Sequence, residues 1–548
     1  MKELIEKYKP RVTLFVFLFV FFTSESLYAY CAAGTGQWDT SDLPLPVYLN
    51  NNLDDLICST SNCSNIENIR NSTEATLDEF YDSSGSDLNL SYAGTTNADI
   101  GEVINGSIHI FASQNCFDAP GVAAWADSNG DGKVDYGKIR MCSQFNGRAV
   151  AWNSFPDSSS TFNLSWQGVM AQEVGHTLGF DHPSDCNQNF KSIMGTTTAT
   201  SHHGHHLYKD DIDAYQTRYG FRNDKSVNFK TSHTGIDWGN TQSLNNTMKS
   251  ALSRFSVCNT SSSPTTFVSF PADQIPRLVD LWRYGAGGWI QLPSPWFAAS
   301  NYHTGTACKD ENTVAVAWSG GYDTITGEQD IFLSTTTNAG NNWGIERIAD
   351  GANQTRNAGV SAAFDPESGQ YIVMWRDNRD RITSKINAPA SPIRQYAQSN
   401  NSFLRASDSV SIACGPASVV GAENCIVAWP DVGWDRTLRW AHAHVDMTGG
   451  TPELVIGSIR SQGYIIYGTP SVSYWSTGEY PWALVFHQGG RTAYSLRKKM
   501  SNTAQWQNES NFSAGQKIVS PVSGSRTGPT VEGDDVILQF LHALFSSS

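Results

Sequence analysis

Six short apolar runs, each ending in an aromatic residue, recur through the second half of the chain: TFVSF at Phe270, VAVAW at Trp318, YIVMW at Trp375, CIVAW at Trp429, WALVF at Phe486 and VILQF at Phe540. They stand 48, 57, 54, 57 and 54 residues apart. A unit of about 55 residues with one fully apolar strand cannot bury that strand alone, so units must stack, and the period predicts the sheets of a β-propeller. Eight residues follow Phe540, too few to finish a unit. Val227 to Thr231 and the octet Thr231 to Trp238 are therefore expected to close the ring against the C-terminal blade. Six blades are predicted, with seven as the alternative.

At 548 residues the chain exceeds the size at which a single core keeps growing, so further domains are expected. Its net charge of -15 repels phosphate backbones and anionic lipid, which argues against a nucleic-acid partner. Lys2, Lys7, Lys9 and Arg11 precede an apolar run from Leu14 to Phe22, and a polar stretch ends at Ala29. This is the layout of a secretory signal peptide over residues 1–29, and the run is too short for a membrane span, which needs about 20 residues. Export suits the ten cysteines, all downstream of the expected cut. Close spacing suggests Cys58 with Cys63 and Cys414 with Cys425, and more loosely Cys116 with Cys142 and Cys258 with Cys308.

Residues 30–222 read as a separate α+β domain. Extended segments are expected at Leu43 to Leu49, Leu88 to Tyr92, Ile108 to Phe111 and Ala149 to Trp152, with helical spacing from Ile66 to Phe80. Further helices are expected at Leu164 to Leu178 and Lys209 to Tyr219, the latter capped by Gly220. On the helix ending at Leu178, Gln172 and His176 are four residues apart and share a face, with Glu173 beside them. Gly179 stops the helix and turns the chain back, bringing His182 in as a third ligand. Three protein ligands and one open position are what catalytic zinc needs, and Glu173 would take and relay the proton.

The run QEVGHTLGFDH, Gln172 to His182, resembles the HExxHxxGxxH signature of metzincin metalloproteases apart from its first letter. Ser192-Ile193-Met194-Gly195 resembles their Met-turn, and Leu207 to Gly220 resembles the last helix of matrixins. The resemblance covers residues 40–222 and implies a secreted, zinc-dependent endopeptidase acting on protein or peptide. Gln172 stands where the family has His, and gametolysin-like metzincins include a similar QExxH motif. An amide oxygen is a weaker, harder ligand than imidazole, so another divalent metal fits the pattern too, and a catalytically inactive adhesion or recognition protein is the rival reading. His202, His203, His205 and His206 form either a substitute ligand or a polar loop. The PRCGxPD latency motif is absent, and Cys31 is read as a disulfide partner.

Asp127, Asn129, Asp131, Lys133 and Asp135 fall at positions 1, 3, 5, 7 and 9 of an EF-hand-like loop, Lys133 through its carbonyl, so calcium is expected there. Position twelve is Lys138 rather than glutamate. In the second domain, residues 223–548, Thr336 to Trp343 resembles the Asp-box turn of sialidase-like propellers, with Asn338 for Asp. Arg376, Arg379, Arg436 and Arg491 are candidates for a sialidase arginine triad, but no FRIP-like motif accompanies them. The propeller is therefore expected to dock substrate or a glycan ligand.

Overall fold

The computed structural model describes residues 31–32, 36–53, 66–153, 163–186, 192–195, 207–220, 226–232, 242–243 and 256–544, apart from short gaps within these ranges. The first part is built on a five-stranded sheet. Its strands are β1 (Leu45–Asn50), β2 (Leu90–Thr96), β3 (Ser107–Ser113), β4 (Gly121–Ala126) and β5 (Tyr136–Cys142), in the order β2-β1-β3-β5-β4. All neighbours run parallel except β4, which lies antiparallel to β5 at the edge. Alternation decides which face is covered: Leu45, Val47, Leu49, Ile108, Ile110, Ile139 and Met141 all enter one core.

Two helices pack on the sheet, α1 (Ile66–Ser84) and α2 (Trp166–Thr177), and a third, α3 (Lys209–Tyr219), packs on α1. Ser165 starts α2, its Oγ accepting the Gly168 N–H at 3.0 Å. Every residue of α2 but His176 is buried, so this is the central helix of the half. Gly137 on β5 lets it come close, since a Cβ there would stand 3.2 Å from the Thr177 side chain.

The six apolar runs each lie on the second strand of an antiparallel unit: Thr266–Pro271, Val314–Gly320, Gln370–Asp377, Cys425–Pro430, Trp482–His487 and Val536–Leu544, the second and third units being joined into one eight-stranded sheet through Glu328↔Arg356 and Gln329↔Thr355. A strand covered on both faces needs no polar alternation. The first strands of these sheets are Ser256–Asn259, Gly305–Cys308, Thr355–Asp365, Ser411–Cys414, Ser471–Tyr474 and Val522–Thr527. Each touches the next, and the last touches the first, so six propeller sheets close a ring. Closure is by exchange of ends, because Ser226–Ser232 pairs with Val536–Leu544 from Ser226↔Leu544 to Ser232↔Leu538. Most of the octet Thr231 to Trp238 lies outside the described residues.

Hydroxyls set the register between neighbouring sheets. Ser256 Oγ accepts the Thr306 N–H at 2.7 Å, Ser361 Oγ that of Ile412 at 3.2 Å, and Ser411 Oγ that of Val472 at 3.0 Å. Gly305 takes the equivalent place in the second sheet, where a Cβ would run into the Ala362 nitrogen. Cys258–Cys308 joins two first strands, Cys414–Cys425 joins a first strand to a second, and Cys116–Cys142 lies in the α+β part. Cys186 is also disulfide-bonded, whereas Cys58 and Cys63 lie outside the described residues. Among the described residues no helix is long and apolar enough to cross a membrane.

Candidate metal centre

Helix α2 carries Gln172, Glu173 and His176, and Gly179, at φ +84°, turns the chain into Phe180–Asp181 and His182. The turn brings His182 back onto the helix. The His176 and His182 rings meet edge to face with centroids 4.7 Å apart, and Gln172 Nε2 lies 3.2 Å from His182 Nδ1. Both imidazoles are anchored through the same ring atom. His176 Nδ1 donates to the Phe180 carbonyl at 2.8 Å and His182 Nδ1 to the Met194 carbonyl at 2.5 Å. With the proton on Nδ1, each Nε2 keeps its lone pair, as a metal ligand requires. Burial also holds the His176 pKa below its ordinary value, favouring the neutral ring.

Gln172 Nε2 also reaches toward the Met194 carbonyl, at 3.5 Å, which leaves the amide oxygen as its ligand atom. Two imidazole nitrogens and one amide oxygen are a donor set that zinc or a harder divalent cation accepts, so these residues fit the ion that the motif implies.

Met194 lies against the helix that carries Gln172 and His176, and Gly175 shows how closely, because a Cβ there would collide with Met194 Sδ. Asp211 on α3 holds the turn in place. It accepts from Ser192 Oγ at 2.5 Å, Ile193 N–H at 2.9 Å and Tyr208 N–H at 2.8 Å. Burial outweighs these donors and pushes its carboxyl up to about 6. Glu173 is 6% exposed, and burial pushes it up to about 8, opposed by the Ala123 N–H that donates to it. Gly121 opens β4 for that carboxylate, since a Cβ there would lie 2.9 Å from Glu173 Oε1. The catalytic candidate thus abuts an edge strand that pairs, among the described residues, with β5 alone.

His202, His203, His205 and His206 lie outside the described residues. The Asp127 to Asp135 loop joins β4 to β5 and is closed on itself: Asp127 accepts the amides of Gly130, Asp131 and Gly132, and Asp135 those of Ser128. Lys133 pairs with Asp39, whose carboxyl it holds down to about 2. Among the described residues the groups of three His, Cys, Asp or Glu ligand atoms lying within 4.8 Å of one another do not include this loop, whose expected donors also comprise Asn129 and the Lys133 carbonyl. The one such group, Asp365 with Cys414 and Cys425, contains disulfide sulfurs and cannot coordinate as thiolates.

In the propeller, Arg376 is fully buried and donates to the Ser407 carbonyl at 2.6 Å, while Arg379 is exposed. Arg436 and Arg491 lie outside the described residues. Thr336 to Trp343 is a turn between third and fourth strands, with Asn338 Oδ1 accepting the Asn342 N–H and Trp343 Nε1 donating to Pro293 O, both at 2.9 Å. Sequence reasoning passed over Gly121, Gly175 and Asp211. The glycines carried a signal only in that each stands where a side chain would meet a site residue.

No family model and no curated protein matches the chain. Solved structures with a similar course include the six-bladed fucose-binding lectin of Aleuria aurantia, at 10% identity and TM-score 0.33, covering 51% of this chain and 85% of that one. Another is the GH93 α-L-arabinofuranosidase of Fusarium graminearum, at 10% identity and TM-score 0.33, covering 53% and 92%. AofleA from Arthrobotrys oligospora gives 11% identity and TM-score 0.36 over 58% and 83%. At such scores these likenesses assign neither ligand nor activity.

Proposed function

We propose that the chain is a secreted metalloendopeptidase whose metal is held by Gln172, His176 and His182. One observation carries the reading: both histidines anchor Nδ1 on backbone carbonyls beside Gln172, next to a buried carboxylate at the strand that ends the sheet among the described residues. A bound zinc ion would supply Lewis acidity toward water and the scissile carbonyl. The chain supplies the rest. The outer edge of β4, unpaired among the described residues, would offer backbone donors and acceptors to an extended peptide, which positions the bond to be cut. Glu173 takes the proton of the attacking water on its carboxylate and passes it to the leaving amine. A neighbouring cation favours its ionised form, which offsets the effect of burial.

The propeller completes the proposal as a docking module for protein substrate or glycan. Its aromatic anchors and Arg376 serve packing, which leaves them unavailable for glycosidase chemistry. Gln172 favours the rival reading of a catalytically inactive adhesion or recognition protein, because an amide oxygen retains zinc less well than imidazole. Metal content of the purified mature chain, with casein and sialoside turnover by parent and Glu173→Ala, separates these. We expect one bound divalent ion, casein cleavage that falls about 10²- to 10⁴-fold in the variant, and no sialoside turnover. Equal casein turnover in both chains would refute the assignment.

A further inference from the structure

The turn that delivers His182 is gripped by a segment far upstream. Cys31 and Ala32 pair antiparallel with Asp181 and Phe180. Gly36 lies against Gly179 so tightly that a Cβ on Gly179 would strike the Gly36 carbonyl. Trp38 is buried, and its indole N–H donates to the Thr177 carbonyl at 2.9 Å. From α3, Tyr219 OH donates to the Leu178 carbonyl at 2.9 Å. The carbonyls at the end of α2, which the helix cannot satisfy itself, are therefore met by these two elements.

Arg218 ties the segment to the turn. Its Nη2 donates to the Gly36 carbonyl, its guanidinium lies 5.4 Å over the Phe180 ring, and its own carbonyl accepts from Gln37 Nε2 at 2.7 Å. Phe180 matters doubly, because its carbonyl is the anchor of His176. Further along, Val134 N–H donates to Gln37 O at 3.0 Å and Asp39 pairs with Lys133. The segment thus spans from the ligand turn to the β4–β5 loop.

We propose that residues 31–32 and 36–39, pinned by Arg218, form a clamp that holds His176 and His182 in ligand position, making Arg218 and Trp38 positioning residues for the metal centre. This rests on the metal-site reading above and adds what sets its geometry. Removing the guanidinium or the indole N–H frees the Leu178 to His182 turn without touching a ligand. The ligands then reach the cation only from a broader set of conformations, so retention weakens.

The full chain is compared as parent, Arg218→Met, Arg218→Lys and Trp38→Phe, by amide exchange over residues 178–182 in metal-free protein and by zinc affinity in competition with a chromophoric chelator. In Arg218→Met and Trp38→Phe we expect exchange there to rise about 10-fold while amides of β1 and β3 keep parental protection. Zinc affinity falls about 10- to 100-fold in both, and Arg218→Lys, which keeps a donor for Gly36, recovers most of it. Trp38→Phe preserves packing, so it decides the matter even where Arg218→Met folds poorly. Parental exchange and parental affinity in folded Trp38→Phe and Arg218→Lys, with Arg218→Met no weaker, overturn the clamp. A parent that binds no zinc, while its variants still loosen over 178–182, sinks the protease reading and upholds the clamp.

Discussion

In the propeller, Trp318, Trp375 and Trp429 occupy one place in three successive sheets, each on a buried second strand. In the α+β half, Trp38, Trp152 and Trp166 are as deeply buried but stand at unrelated places, donating to the Thr177 carbonyl, the Cys142 carbonyl and Thr73 Oγ1. The ion pairs follow the same division. Asp377 and Asp431 stand two residues after an anchor tryptophan and each takes an arginine, Arg381 just before the third strand of its unit and Arg439 within it. Asp211 has no counterpart; it binds a turn that occurs once. A repeated position serves its neighbours, so its loss stays near its own blade. A position used once can have a ligand at the far end of its contacts.

That contrast can be broken at both ends. The largest effect belongs to Trp429→Ala, which opens a cavity in a fully buried site and should cost about 3–5 kcal/mol of propeller stability. Calorimetry should show the loss while peptide cleavage below the transition stays parental; a parallel fall in cleavage would show the halves to be coupled.

Next is Asp211, whose folded-state pKa near 6 exceeds the ordinary 3.8. The folded chain therefore keeps a proton that the unfolded chain releases, and the resulting stabilisation is full below the ordinary value and lost as pH rises through 6. Denaturant titrations of the parent should lose up to about 3 kcal/mol between pH 4 and 7 from this group, and Asp211→Asn should flatten that slope. Gln172→His replaces an amide oxygen by imidazole and should tighten zinc by on the order of 10-fold, read by chelator competition. Looser binding would mean that the third donor lies elsewhere. Smallest is Ser411→Ala, which removes one bond between sheets and should cost about 1 kcal/mol, with no change in metal content.

Much of this was legible in the chain because periodicity reports on burial. The runs ending at Trp318, Trp375 and Trp429 are apolar at every position, and only a strand covered on both faces tolerates that. Spacing likewise placed Gln172 and His176 on one face of α2 and put the turn at Gly179. Three cysteine pairings suggested by spacing were found. Gly175 and Gly121 were not legible as site residues, since a glycine looks the same whether it ends a helix or yields to Met194 or Glu173. The loop from Asp127 to Asp135 is a further case: its letters match a motif, and the fold adds that Asp127 accepts the amides of Gly130, Asp131 and Gly132.

By itself the sequence determined which strands are central, where the ring draws on both ends of its segment, and which residues form the ligand motif, because each depends on local chemistry or a fixed period. Tertiary structure alone decided that Nδ1 of both histidines is occupied, that Glu173 is buried against β4, and that residues 31–32 and 36–38 contact the turn from Thr177 to Asp181 or the Arg218 beside it. Those contacts join residues up to 182 positions apart, as Gly36 and Arg218 are. No local pattern records such a pairing, since it forms only once the sheet and helices have set the distance between them.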